Sequence, residues 1–339
     1  MIAGLILRRV AAALPGLVGV LIATFILSRA LPGDPAVFFA GPAANAESVQ
    51  QLRETLGLDK SWPEQLWIYV ADIASGSLGT SLTSGQPVLQ DLIQRLPASL
   101  ELTFVALLLA VAVAVPLGVI AALRPNSLID HLCRVLVTVG AAFPTFFVGL
   151  LMVYVFYFLL DWAPQPLGRL DEIYFIAPER VTGFYLVDTL VSGDVEAFRG
   201  ALSQLVMPAV TLGLFALAPI ARMTRAAMLT ALGTDFIRTA RAYGLTRYTV
   251  IFTYAFRNAL LSIANVMGMV FSFLLGSNVL VEQVFGWPGV GSYGVSAVIA
   301  SDYAAVQGFV LLMAVLYILL NLAVDILSGL IDPRARMEG

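Results

Sequence analysis

The 339-residue sequence predicts an all-α, polytopic transmembrane protein of about six helices. Three observations carry that expectation. Hydrophobic residues make up 59% of the chain and charged residues only 12%, about half the charged share of an ordinary soluble domain. The mean hydropathy is +0.89. Apolar runs of about 20 residues, the length that crosses a hydrocarbon core of about 30 Å, recur along the chain. The net charge of -3 points to no nucleic-acid partner. One cysteine, Cys133, excludes an internal disulfide, and together with His131 it is too small a set for a structural zinc site.

The spans are expected near 10–30, 98–123, 134–160, 204–226, 257–281 and 306–330. The first follows Arg8 and Arg9 as a secretory signal would, but its apolar run exceeds a signal's hydrophobic region, so it reads as an uncleaved anchor. Orientation follows from the basic residues. With the N-terminus cytoplasmic, Arg8, Arg9, Arg124, Arg134, Arg222, Arg225, Arg238, Arg241, Arg247, Arg257, Arg334 and Arg336 face inward, 12 of the 19 basic residues. Of the 22 acids only Asp130, Asp235, Asp325, Asp332 and Glu338 share that side. The long connections 31–97 and 161–203 are then external. In the first, Leu66, Trp67 and Val70 recur at helical spacing beside Trp62, the pattern of an interfacial helix with tryptophans at headgroup level.

Prolines and glycines thread the spans. Close helix packing explains most of them. Pro208 and Pro219, both in the span at 204–226, are the hinge candidates, because proline removes a backbone donor and bends a helix. Glu101 and Asp325 are ionisable residues near span ends, fit for a structural pairing or a proton relay. Glu282, before "QVFGWPGVG", is a candidate for the outer mouth of the fifth span or a solvated loop acid.

Residues 227–256 form the one substantial inner connection. There Thr234 can cap a helix that Gly244 can end in a left-handed conformation, around "DFIRTARAY". Phe236, Ile237, Ala240 and Tyr243 approximate one face, and Arg238 and Arg241 share another. These residues fit equally a basic loop against anionic headgroups and a docking surface for a protein partner.

"DFIRTARAYGL" followed by "FRNAL" resembles the coupling-loop motif of bacterial ABC importer permeases, in the form found in dipeptide and oligopeptide transporters. The general family pattern is Glu-Ala-Ala, three residues, then Gly. Anchored on Gly244, only Ala240 and the glycine match it, with Arg238 and Thr239 departing in the manner of the peptide branch. Further stretches fall in the expected order: "LPGDPA" at 31–36, "LRETLGLD" at 52–59, "GSLGTSL" at 76–82, "RLPASLELT" at 95–103, "VEQVFGWPGVG" at 281–291 and "DYAAVQG" at 302–308.

The resemblance implies a permease subunit in a bacterial inner membrane, one transmembrane domain over 1–339 with an N-terminal helix at 10–30, an outer loop at 31–97 and a five-helix core at 98–330. It implies a second homologous permease, two ATP-binding subunits that hold ATP and Mg, and an extracytoplasmic solute-binding protein delivering peptides or related solutes. Asp235, Arg238, Thr239, Ala240, Arg241, Gly244 and Arg247 would form the ATPase-docking segment. The chain itself carries no GxxxxGK[ST] phosphate loop, its only lysine being Lys60, and no GxSxG or HExxH set. A secondary transporter driven by an ion gradient is the alternative, and it calls for paired interrupted helices and a midplane charge that the sequence does not display.

Overall fold

A computed structural model describes residues 2–30, 34–41, 44–140 and 142–331. Asp332, Arg334, Arg336, Glu338 and residues 31–33 of "LPGDPA" lie outside the described residues, as do the side chains of Arg8 and Arg9. Helices dominate, and among the described residues the only β feature is an isolated bridge between Thr80 and Pro87.

The chain begins with α1 (Ile2–Ala30), followed by three short helices in the first long connection: α2 (Pro35–Ala40), α3 (Ala46–Thr55) and α4 (Trp62–Ala74). Their starts follow from local chemistry. Asp34 accepts from the Ala36 N–H, Asn45 from the Ser48 N–H, and Ser61 with Glu64 forms a capping box. Trp62 and Trp67 on α4 are exposed, as an interfacial helix requires.

Helix α5 (Val88–Leu123) has 36 residues, about 54 Å at 1.5 Å per residue, and so starts ten residues earlier than the expected span. The third expected span is not one helix. It divides into α6 (Leu128–Gly140) and α7 (Thr145–Met152), the latter continuing through π-type turns over Val153–Leu159. Pro144, at ψ 138° ahead of α7, ends any helical path through this apolar run.

The second long connection carries α8 (Tyr185–Ser192), and α9 (Val195–Leu232) runs unbroken for 38 residues through Pro208 and Pro219. A two-turn α10 (Asp235–Ala242) and π-type turns over Thr249–Phe256 lead into α11 (Arg257–Val284). Helices α12 (Val290–Ile299) and α13 (Tyr303–Ile331) complete the chain. Among the described residues, five segments are long and apolar enough for a single crossing: 11–29, 88–123, 195–232, 249–284 and 303–326.

Two compact units emerge, Met1–Ser99 with Pro288–Leu319, and Leu100–Trp287 with Leu320–Gly339. In the first, Val88 and Leu92 of α5 pack with Val290 and Tyr293 of α12 and Ala305 and Val306 of α13. The Asp302 carboxylate, fully buried, accepts from the hydroxyls of Ser81 (2.7 Å) and Thr83 (3.3 Å) and ties the "GTSL" turn to the start of α13. In the second unit α9 packs along α11, and α11 meets the end of α13 so closely that a Cβ on Gly268 would sit 2.1 Å from Val324 Cγ2. Such contact between membrane helices needs a residue without a side chain.

Candidate functional site

The segment from α10 to Arg247 exposes six of the seven expected docking residues; Ala240, 5% exposed, is instead buried on the side of α10 seated against the core. Helix α10 has eight residues, too few for stability in isolation, so its seat decides whether it exists. Ile237 and Ala240, three apart, are buried in a cluster with Met228 and Ala231 of α9, Val250 and Ala255 of the π-type turns, Ala259 and Ile263 of α11, and Val119 and Ala122 of α5. Thr234 precedes the helix in an extended conformation, but its hydroxyl donates to the Ala231 carbonyl (2.5 Å) instead of capping an amide of α10.

The end is a full left-handed stop. Gly244 has φ +76°, its N–H donates to the Arg241 carbonyl (3.0 Å) and the Leu245 N–H donates to Ala240 (3.3 Å). These are the two bonds of the Schellman motif. Thr246 then accepts from the Thr249 N–H (3.3 Å) and opens the next turn.

On the other face Asp235, Arg238, Thr239, Arg241, Gly244 and Arg247 are all exposed. Asp235 and Arg238 pair at 3.2 Å, but both are open to solvent, so the bond adds little stability. A Cβ placed on Gly244 meets no atom within 4 Å, which leaves a flat spot between the arginines. Tyr243 is 82% exposed, Tyr248 71% and Phe236 41%, so of the four residues expected to share one face of the helix only Ile237 and Ala240 are buried. The helix ends at Ala242, and the chain turning out at Gly244 carries Tyr243 away from the core. The surface thus combines arginine and tyrosine, the residues that carry most binding energy in protein interfaces.

The other expected site residues lie elsewhere. Pro208 is buried and Pro219 half-buried in α9. Glu282 is neither a solvated loop acid nor an open mouth residue: it is 1% exposed within α11 and accepts from Asn278 Nδ2 (3.0 Å), one helical turn earlier. Phe285 and Trp287, both buried, complete a folded turn after it.

Glu101 is paired. It accepts from Arg169 Nη2 (2.6 Å) and the Leu186 N–H (2.8 Å), while Arg169 also donates to the Gly183 carbonyl (2.8 Å) and lies 3.7 Å over the Tyr185 ring. The pair fastens the second long connection to α5, the structural role. Asp325 is half-buried in α13.

Asp130, which the charge pattern marks only as an inner-side acid, is fully buried at the start of α6. Arg225 of α9 grips it with Nε (2.8 Å) and Nη2 (2.7 Å), and Arg134 Nε lies at 3.5 Å. The Arg225 hydrogen bonds outweigh burial and hold the Asp130 carboxyl at about 2. His131 is exposed and Cys133 is a buried free thiol. Among the described residues no three His, Cys, Asp or Glu side chains converge as metal ligands.

Long apolar helices joined by a short amphipathic helix with a basic outer face define a polytopic membrane protein. The chain belongs to the family described as binding-protein-dependent transport system inner membrane component, matched over residues 114–337, with the N-terminal component of the same systems matched over 1–103. It is 44% identical to a probable D,D-dipeptide transport system permease protein of Escherichia coli (strain K12), across 95% of this chain and 94% of that one. It is 43% identical to a di/tripeptide transport system permease protein of Pseudomonas aeruginosa (strain UCBPP-PA14), across 98% of each. A dipeptide transport system permease protein of Escherichia coli (strain K12) is 40% identical over 98% of each.

The fold is similar to that in an inward-facing conformation of the MetNI methionine ABC transporter, with a TM-score of 0.52 and 18% identity, covering 72% of this chain and 97% of that one. The chain is therefore a multi-pass inner-membrane permease component, a transport subunit and not an enzyme.

Proposed function

We propose that this permease is one half of the membrane channel of an ATP-driven importer for short peptides or related small solutes. The observation that carries the reading is the division of α10 into a seated apolar side, Ile237 and Ala240, and an exposed side of arginine and tyrosine closed by a left-handed glycine. The relatives named for dipeptide and di/tripeptide transport support the cargo class.

In this reading the N-terminus and α10 are cytoplasmic, and two ATP-binding subunits with ATP and Mg receive Arg238, Arg241, Gly244 and Arg247. A second homologous permease completes the path, and an extracytoplasmic solute-binding protein delivers the cargo. Closure of the ATPase pair displaces α10 and with it the adjoining ends of α9 and α11, with Pro208 and Pro219 as the places where α9 yields. ATP can bias the path only through contacts that differ between its two states, and the exposed face of α10 is where this chain offers them.

The test is affinity purification of the tagged chain from its native membranes, followed by ATPase and peptide-uptake assays. Recovery of a second permease and ATP-hydrolysing subunits, with uptake that survives collapse of the proton gradient but not ATP depletion, is the expected result. A homo-oligomer without ATPase, whose uptake stops when the ion gradient is collapsed, would overturn the reading in favour of a secondary transporter.

A further inference from the structure

A cavity of about 340 Å³ lies wholly within the first compact unit, bounded by the ends of α1 and α3, by α4, by the turn at 77–82 and by the start of α13. Two basic side chains, Arg29 and Lys60, and two acidic ones, Glu54 and Asp72, belong to its lining. Among the described residues none of the four makes an ion pair. The cavity therefore holds charges of both signs that the chain itself does not join.

Helix α4 sets their spacing. Gln65, Ile68, Tyr69 and Asp72 all line the cavity, at intervals of three, one and three residues that define a single helix face. Gln65 marks the basic end. It donates through Nε2 to the Lys60 carbonyl (2.8 Å) and accepts at Oε1 from Arg29 Nε (2.9 Å) and Nη2 (2.8 Å). Arg29 Nη1 donates to the Ser28 hydroxyl (3.2 Å) and the Phe25 carbonyl (3.5 Å). Every one of these acceptors is neutral, so the half-buried guanidinium keeps an unbalanced charge. Beside it the Tyr69 hydroxyl is buried without a hydrogen-bond partner. Burial pushes that phenol up to about 12, so at neutral pH it remains a donor in want of an acceptor. At the other end the Asp72 carboxylate is exposed and has no partner among the described residues.

The occupant has to answer both ends. An inorganic anion would satisfy Arg29 and be repelled by Asp72 and Glu54, and a simple cation would meet the reverse. A free amino acid carries both charges but too close together: Gln65 and Asp72, two turns apart, are separated by about 10 Å along α4 at 1.5 Å per residue. An extended peptide of two or three residues spans about 7–10 Å. A planar guanidinium suits its terminal carboxylate, and a cavity of this volume suits its size. We propose that this cavity binds a zwitterionic peptide of two or three residues, its carboxylate on Arg29 and the Tyr69 hydroxyl and its ammonium on Asp72. The site deepens the reading of the chain as part of a peptide importer and rests on that reading for its role. Its binding needs neither ATP nor the solute-binding protein, so the two can fail separately.

The test is equilibrium binding of radiolabelled dialanine to the purified transporter complex in nanodiscs, without ATP or solute-binding protein. Alanine, N-acetyl-dialanine, dialanine amide and inorganic phosphate serve as competitors. Dialanine is expected to saturate one site per copy of this chain, and each competitor to bind at least about tenfold more weakly. Asp72→Asn should weaken dialanine about tenfold and leave N-acetyl-dialanine unmoved, while Tyr69→Phe should weaken dialanine about threefold and leave dialanine amide unmoved. The ranking of ligands on the unmodified complex stands without any variant. Absence of saturable binding, competition by N-acetyl-dialanine or phosphate as strong as by dialanine, or an unchanged dialanine affinity in Asp72→Asn would overturn the proposal. ATP-driven peptide uptake without binding at this cavity overturns the site alone, and dialanine binding with uptake driven by an ion gradient overturns the importer reading alone.

Discussion

Gly244 separates what the chain needs for its own fold from what it offers a partner. At φ +76° any residue with a Cβ is strained by about 1–2 kcal/mol, least for asparagine. The added Cβ meets nothing within 4 Å, so no clash inside the chain adds to that figure. Gly244→Ala and Gly244→Arg should therefore lower the stability of the permease equally, by about 1 kcal/mol, and Gly244→Asn by less. The variants part at the proposed ATPase contact. Arginine there brings a bulky charge beside Arg241 and Arg247, and burying it without a partner costs about 3 kcal/mol, or about 150-fold in association. The assay has two arms, thermal unfolding of each variant and co-purification with the ATP-binding subunits alongside uptake. Gly244→Asn should assemble and transport nearly as the parent, Gly244→Ala somewhat less, and Gly244→Arg not at all. If Gly244→Arg assembles and transports as Gly244→Ala does, the docking surface lies elsewhere.

Two further predictions concern the frame. Gly268→Ala should destabilise the chain by about 1–3 kcal/mol through overpacking against Val324, and Val324→Ala in the same chain should restore most of the loss, both read by thermal unfolding. Arg169→Ala should cost about 3–5 kcal/mol because Glu101, 5% exposed, is left charged and unpaired. Replacing both as Glu101→Gln and Arg169→Met should cost less than the single change, and faster proteolysis within residues 161–184 would report release of the connection.

Hydropathy made the long helices legible because a membrane imposes one length on every crossing. The same criterion hid the break between α6 and α7, since apolar residues continue on both sides and only Pro144 marks it. The π-type turns at Val153–Leu159 and Thr249–Phe256 have no residue signature at all. In the candidate site the glycine stop follows from the sequence, but of the four residues that helical spacing puts on one face only Ile237 and Ala240 are buried: Phe236 is 41% exposed, and Tyr243 lies beyond the point where the helix ends. Glu282 was misjudged by its nearness to "GWPG", although Asn278 four residues earlier was a usable sign that the helix carries on. The pairs Glu101–Arg169 and Asp130–Arg225 join residues 68 and 95 apart, and no local pattern reports such partners.

On the proposed coupling role, the seat of α10 would let a helix of two turns move much longer ones. Ile237 and Ala240 do not rest on a single neighbour; they close a cluster to which α5, α9, α11 and the π-type turns all contribute. Packed interiors are barely compressible, so a displacement of α10 passes to the ends of α9 and α11 and is not absorbed between side chains. Helix α10 is also too short to stay folded without that cluster. A partner that pulls it away therefore loses the helical surface it holds, and one that keeps the surface intact must carry the cluster along. The strength of the seat and the strength of docking are thus linked through one eight-residue element, and it is this linkage that would let contacts on the exposed arginines bias the state of the path.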